Sequence, residues 1–398
     1  MCIHILTVPL PDNDVVVTVL DNFSDFKGLD IFTQVADTKV FIYSVIGRNT
    51  SKTRNPWNEF GVSAWIHSEL KPEYIACCFL LDNGIIVKSN HTQYWYYALD
   101  VMFTVQYTCM KPKSVLHLTA ISLTVSNKTC SSNFSTYVRP MYPSRRMDKE
   151  TIALCAKQIF GNLRPSLVVT WLEYNKAMGV DKIVTFVNES YLSQNTYKVL
   201  KYYKNQGKLV ASDEQIFVYF CQDRLAGYSF IGIIDIDEFI FPQKDTNFKE
   251  LMHYLMDKYT DSASYTFLVE CYIRNWGRQN TFEQLVPIEY IQRAAAMNDR
   301  VKNIAVRDRF EPGSITTHTV HPRNGFKSIV VPTDVAVLKH YRTCRDDWKP
   351  KYDCVNGTGA FQRFTDDSLK KKLEEMIVKD NITLYGHILH IMRYLDVN

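Results

Sequence analysis

Asp235 and Asp237 are the residues of this chain whose type and spacing most clearly suit chemistry. They close the run Tyr228-Ser229-Phe230-Ile231-Gly232-Ile233-Ile234-Asp235-Ile236-Asp237-Glu238, in which an apolar stretch delivers acids. Residues two apart in an extended chain point the same way, so the two carboxylates are expected to converge while Ile236 turns into the core. Carboxylate oxygens suit hard or borderline cations such as Mn²⁺ and Mg²⁺, and those cations bind diphosphates. An ion held there would neutralise charge gathering on a departing nucleotide diphosphate. A bare Asp-X-Asp at a strand end also serves as a turn cap, so the surrounding elements have to decide between the two uses.

From residue 146 onward those elements alternate. Ile152 to Ala156 is a short apolar run; Pro165 opens a helix whose Val168, Trp171, Leu172 and Met178 share one face, and Gly179 ends it. Lys182 to Val187 reads as a buried strand. Ser193 is placed to cap a helix carrying Thr196, Val199, Leu200 and Tyr203 at helical spacing, with Gly207 as its stop. A strand over Lys208 to Ala211 and a helical stretch through Arg224 lead to the strand that ends at Asp235. Alternation of this kind predicts an α/β fold, a mixed, mostly parallel sheet flanked by helices, whose ligands bind beyond the carboxyl ends of the strands. Residues 1–145 read differently, as extended segments such as Lys39 to Val45, Tyr74 to Leu81 and Val115 to Val125 separated by polar turns. They predict a smaller β-rich N-terminal unit. Two prolines and three arginines between Tyr137 and Arg146 mark its boundary with the unit spanning 146–398.

Composition bounds the partners and the compartment. Of 398 residues, 46% are hydrophobic and 22% charged, which suits packed globular units. The net charge of +4 comes from interspersed Lys and Arg without a long basic block, which disfavours a nucleic-acid partner. Asn-X-Ser/Thr acceptors stand at Asn22, Asn49, Asn90, Asn127, Asn133, Asn188, Asn356 and Asn381. The ten cysteines contain no CxxC pair, so a zinc ribbon is disfavoured and disulfides in an oxidising compartment are expected. Cys344 and Cys354 are spaced for a short bridge, while the adjacent Cys77 and Cys78 are expected to face different ways. The opening Met1 to Pro9 lacks the basic segment and unbroken apolar run of a signal peptide, and no stretch of 18 uncharged apolar residues follows. The chain is thus expected to be soluble, or membrane-associated through an anchor upstream of the given start.

Several ordered segments together resemble glycosyltransferase family 92, also called the domain of unknown function 23 family. They are Cys155-Ala156-Lys157-Gln158-Ile159-Phe160-Gly161, Trp171-Leu172-Glu173-Tyr174-Asn175, Gly179-Val180-Asp181, Val199-Leu200-Lys201-Tyr202-Tyr203 with Gly207, Asp235 to Pro242, and His340-Tyr341-Arg342. The resemblance runs from about Thr151 to Gly386. It implies a GT-A fold, a Golgi enzyme of type II topology, and inverting transfer of galactose from a UDP-sugar donor onto glycan acceptors, including fucose-bearing N-glycan cores.

Within that frame other residues gain roles. Enzymes of the implied fold often complete the metal shell with a late His, and the neutral imidazole of His340 is an acceptable Mn²⁺ ligand. Arg342 and Lys339 are cations suited to donor phosphates. Inversion calls for a carboxylate that removes the acceptor's hydroxyl proton; Glu270, Asp346 and Asp347 are the candidates. Glu238 is placed to support the aspartates from behind. Trp276 offers a stacking face for a sugar or a core side chain, and His318 and His321 lie in a loop-like setting. Two other readings compete. A haloacid-dehalogenase-like phosphatase also ends a buried strand in Asp-X-Asp, but continues with a small residue and Thr where this chain has Glu238-Phe239. A non-catalytic glycan-binding protein on the same fold would need none of these groups.

Overall fold

A computed structural model describes residues 16–21, 32–35, 38–49, 57–98, 101–112, 117–142, 150–159, 163–187, 192–203, 214–278, 285–311, 313–345 and 354–397. Two large sheets organise them. The first takes the spatial order Thr33–Gln34, Val40–Asn49, Trp57–His67, Met102–Met110, Ile86–Ala98, Ile75–Leu81, Leu118–Val125, with every neighbouring pair antiparallel. It curls into a half-barrel around Val40, Phe60, Val62, Phe79, Tyr107 and Ile121. Ile75–Leu81 is buried on both faces, and successive side chains of a strand alternate. Cys77 and Cys78 therefore leave in opposite directions, to Cys109 and Cys130, as their adjacency predicts.

The second sheet runs Val16–Asp21, Lys182–Val187, Ile152–Ile159, Phe230–Ile234, Met297–Val306, Ser262–Ile273, Gln292–Arg293, Phe364–Thr365. Its first four strands are parallel, and from Met297–Val306 onward this order is antiparallel. Glu238–Pro242 pairs antiparallel with Ala336–Arg342, which lies parallel to the second half of Ser262–Ile273.

The expected mostly parallel sheet flanked by helices is overturned. Among the described residues twelve strand pairs are antiparallel and five parallel. Parallel neighbours need a long, usually helical crossover, and the chain supplies such crossovers mainly between Ile152–Ile159 and Phe230–Ile234. Between Lys258 and Thr365 the helical elements among the described residues are short turns, which favours antiparallel returns. The segment read as a minor N-terminal unit also contributes a complete seven-stranded antiparallel sheet.

Local chemistry explains the helices. Pro165–Ala177 starts on its proline and ends at Gly179, whose φ of 85° a side-chain-bearing residue rarely adopts. Every residue from Ser166 to Asn175 is buried, so the helix is enclosed all round and its single apolar stripe understates its position. Gln194–Tyr203 buries Thr196, Val199, Leu200 and Tyr203, and the Ser193 hydroxyl accepts the Thr196 N–H at 3.1 Å, both as predicted. Gly207 and the strand expected over Lys208 to Ala211 lie outside the described residues. In Phe230–Ile234, Gly232 lets the sheet close up: a Cβ there would stand 2.7 Å from Leu154 Cδ2. Cys155–Cys221 ties the neighbouring strand to the helix Glu214–Leu225. Among the described residues no helix is long and apolar enough to cross a membrane.

Candidate active site

Phe230–Ile234 is wholly buried and ends in a turn in which the Asp235 carbonyl accepts the Glu238 N–H at 3.1 Å. Asp235, Ile236 and Asp237 are therefore turn residues, and the extended-chain rule for their side chains does not apply. The turn still buries Ile236, while the Asp235 and Asp237 side chains keep 25% and 28% of their surface exposed, enough to reach a ligand. Glu238 starts the returning strand and folds back, its Oε2 accepting the Asp235 N–H at 2.9 Å. One buried carboxylate thus holds the turn.

Behind it stands Lys302, which sequence reading missed. Its side chain has no exposed surface, and Nζ lies 2.9 Å from Asp235 Oδ2 and 3.3 Å from Glu238 Oε2. Burial alone lowers the pKa of the ammonium, but Glu238 and then Asp235 outweigh it, so Lys302 is held charged and its pKa is raised. Burial raises the Glu238 pKa, against the pull of Lys302. A signal was present: Lys302, Ile304 and Val306 alternate along one strand, which puts a lysine on an apolar face where it needs an acid.

Ala336–Arg342 supplies the imidazole. Its register sets His340 opposite Glu238 on one side and Cys271 on the other, so the three share a face. His340 Nδ1 is 3.3 Å from Glu238 Oε1, and Nε2 is 3.6 Å from Asp237 Oδ2. Burial by itself lowers the His340 pKa, yet Asp237 and Glu238 together raise it. The Cys271 thiol, buried beside them, is pushed up to about 12 by burial and stays protonated. The structure thus brings Asp235, Asp237 and His340 around Glu238.

These donors fit a hard or borderline divalent ion in kind. Two carboxylates are partly exposed, and the histidine places one ring nitrogen 3.3 Å from the buried Glu238 and the other 3.6 Å from Asp237. Among the described residues no group of three or more His, Cys, Asp or Glu side chains is placed to hold a metal ion.

Strand alternation separates the remaining candidates. The register pairs Glu270 with Lys339, one step from the Cys271–His340 pair, so both point to the opposite face. There Lys339 Nζ meets Asp366 Oδ2 at 2.7 Å, Tyr272 OH at 2.7 Å and Ser368 Oγ at 2.8 Å. Glu270 faces Arg293 at 3.2 Å and Lys339 at 3.7 Å. Neither Glu270 nor Lys339 is brought to the aspartates. Arg342 lies on the His340 face of the strand, and Asp237 acts on it electrostatically. Asp346 and Asp347 lie outside the described residues. Trp276 is a core residue, its Nε1 donating to the Cys354 carbonyl at 2.7 Å. His318 Nδ1 is 2.9 Å from the Val301 carbonyl and His321 packs on Trp95 with ring centroids 4.8 Å apart, so both serve packing. The Cys344–Cys354 bridge forms as expected.

No curated protein matches the chain. The profile of Glycosyltransferase family 92 matches residues 150–377, which hold the turn, Lys302 and His340. With more than half of its length matched across the segment that builds the site, the chain belongs to glycosyltransferase family 92.

Proposed function

We propose that this glycosyltransferase moves a hexose, galactose from UDP-galactose, onto a glycan acceptor with inversion, using Mn²⁺ or Mg²⁺ held by Asp235, Asp237 and His340. Family membership supports a nucleotide-sugar donor and a glycan acceptor. The metal part rests on one observation: His340 stands between Glu238, 3.3 Å from Nδ1, and Asp237, 3.6 Å from Nε2. A bound ion would supply Lewis-acid relief of the charge on the departing diphosphate.

The chain's own groups have separable tasks. Glu238 pins the turn; Lys302 balances the two acids it touches, which lowers the electrostatic cost of crowding three carboxylates. Asp346 and Asp347, which follow the strand bearing His340, are the carboxylates proposed to take the acceptor's hydroxyl proton. Four disulfides among the described residues and eight glycosylation acceptors in the sequence support a secretory-pathway lumen, with the Golgi as the proposed station.

Incubating the full chain with UDP-sugars and Mn²⁺, with and without a fucosylated N-glycan, tests this reading. UDP release that requires acceptor and stops with chelator is expected. Acceptor-dependent transfer that survives exhaustive chelation would remove the metal from the proposal, and phosphate release without any sugar donor would remove transfer itself.

A further inference from the structure

The site already described gathers acids, yet a nucleotide diphosphate is an anion, and arginines stand on the other side of Asp237. Ser262–Ile273 ends beside Arg342, because the register pairs Ile273 with Arg342. The next residue, Arg274, opens a short 3₁₀ turn at that strand end. Asp237 acts electrostatically on both guanidinium groups. Among the described residues the neighbouring acid Glu289, itself buried, is already taken by a two-pronged bond from Arg164 at 2.8 and 2.7 Å and approached by Arg278 at 3.7 Å. The Nε of Arg274 is buried without a hydrogen-bond partner among the described residues. Leaving a buried cationic donor unsatisfied is costly, and a ligand that supplies acceptors removes that cost.

We infer that Arg274, together with Arg342, receives the diphosphate of the nucleotide donor, an inference that rests on the donor-binding role proposed for the Asp237–His340 face. A guanidinium presents a planar fork that matches two phosphate oxygens at once, and its charge persists under burial. The arginines oppose the repulsion that Asp235 and Asp237 exert on an approaching diphosphate. Lys339, the cation that sequence spacing offered for this task, is engaged on the far face of the sheet.

The test is calorimetric titration of the full chain in Mn²⁺ with UDP and uridine, and with GDP and guanosine alongside. Wild type is expected to bind a nucleoside diphosphate on the order of a hundredfold more tightly than its nucleoside. Arg274→Gln should cut that preference by roughly tenfold or more while nucleoside affinity stays within about twofold, and Arg274→Lys, keeping charge but not the fork, should fall between. Arg274→Lys gives the same comparison if the Gln variant does not fold. A preference undiminished in both variants overturns the inference and leaves the donor reading standing. No diphosphate preference with either base in wild type overturns both. Intact UDP affinity combined with a raised KM for a sulfated or carboxylated acceptor assigns the arginines to the acceptor and overturns the inference as well.

Discussion

Lys302 places its ammonium 2.9 Å from Asp235 Oδ2, so one acid of the pair is already half of an ion pair before any ligand arrives. The same nitrogen is 3.3 Å from Glu238, and lysine and glutamate are both fully enclosed. Removing one member of a buried pair leaves its partners charged in a poorly solvating medium. Lys302→Met is therefore expected to destabilise the fold by about 3 kcal/mol, read by urea denaturation at neutral pH. A loss below about 1 kcal/mol would mean that the pair contributes little beyond a surface bridge.

Asp235 and Asp237 should behave differently when neutralised. Asp237→Asn removes a partly exposed carboxylate that has, among the described residues, no side-chain partner closer than the 3.6 Å contact with His340. Transfer is expected to fall below detection while the thermal midpoint moves by only a few degrees. Asp235→Asn should also abolish transfer, but it weakens the compensation of Lys302, and a cost of roughly 1–2 kcal/mol is expected. Equal stability of the two variants would contradict the structural role given to Lys302; full activity in both would end the metal assignment.

Much of this site was legible in the chain because its signals are local. An apolar run ending in acids, a serine three residues before the threonine N–H it caps, and two cysteines ten apart each declare themselves within a few residues. What could not be read is set by distant pairing. Glu238–Pro242 finds its partner in Ala336–Arg342, and only that register decides that His340 joins Glu238 while Lys339 and Glu270 turn away. The two-residue rule for Asp235 and Asp237 failed for a related reason: the strand stops at Ile234, and a turn held by Glu238 sets the direction of the two acids instead. Alternating strands and helices predicted a mostly parallel sheet, and the antiparallel pairs outnumber the parallel ones because Met297–Val306, Ser262–Ile273 and the strands after them return without long crossovers.

The register also separates the candidate bases. Glu270 sits against Arg293 and Lys339 on the face away from Asp237, so Glu270→Gln is expected to lower stability while leaving kcat within about threefold, a change of less than 1 kcal/mol in barrier. Loss of a general base costs about 10²–10⁴ in kcat, and that loss is expected from either Asp346→Asn or Asp347→Asn. Single-turnover transfer rates with saturating donor distinguish them. A drop of that size in the Glu270 variant, with stability intact, would return the base to Glu270.

A pH dependence should come from the junction between the two sheets. Asp223, on the helix Glu214–Leu225, is buried against the N-terminal sheet, with Oδ2 accepting from Ser44 at 2.6 Å and Ser63 at 3.3 Å, and Oδ1 accepting from Gln106 at 3.2 Å. Burial raises its pKa from 3.8 to about 6, against Arg48 and these three donors, which lower it. A carboxyl that binds its proton more tightly when folded stabilises the fold fully below its unfolded pKa, and that contribution is lost as pH rises through about 6. Asp223→Asn lacks this titration. Between about pH 4 and pH 7 the stability difference should shift in favour of the Asn variant by roughly 2 kcal/mol, seen in paired urea melts. Parallel pH profiles for the two proteins would show that the carboxyl does not titrate there.

Cys155–Cys221 should be the bridge whose loss is felt most at the site. It closes a loop with a sequence separation of 66 and fastens the helix Glu214–Leu225 to Ile152–Ile159, the strand directly beside Phe230–Ile234. Chain-entropy reasoning gives about 4 kcal/mol for a loop of that length, whereas Cys344–Cys354, with a separation of 10, is worth about 3. The Cys155→Ala, Cys221→Ala double variant is therefore expected to unfold at lower urea than Cys344→Ala, Cys354→Ala. The first bridge anchors the strand pair that carries the turn, so its removal should also weaken Mn²⁺-dependent UDP binding, measured calorimetrically. Equal urea midpoints, or unchanged nucleotide binding in the first variant, would mean that helix and strand are held by packing alone.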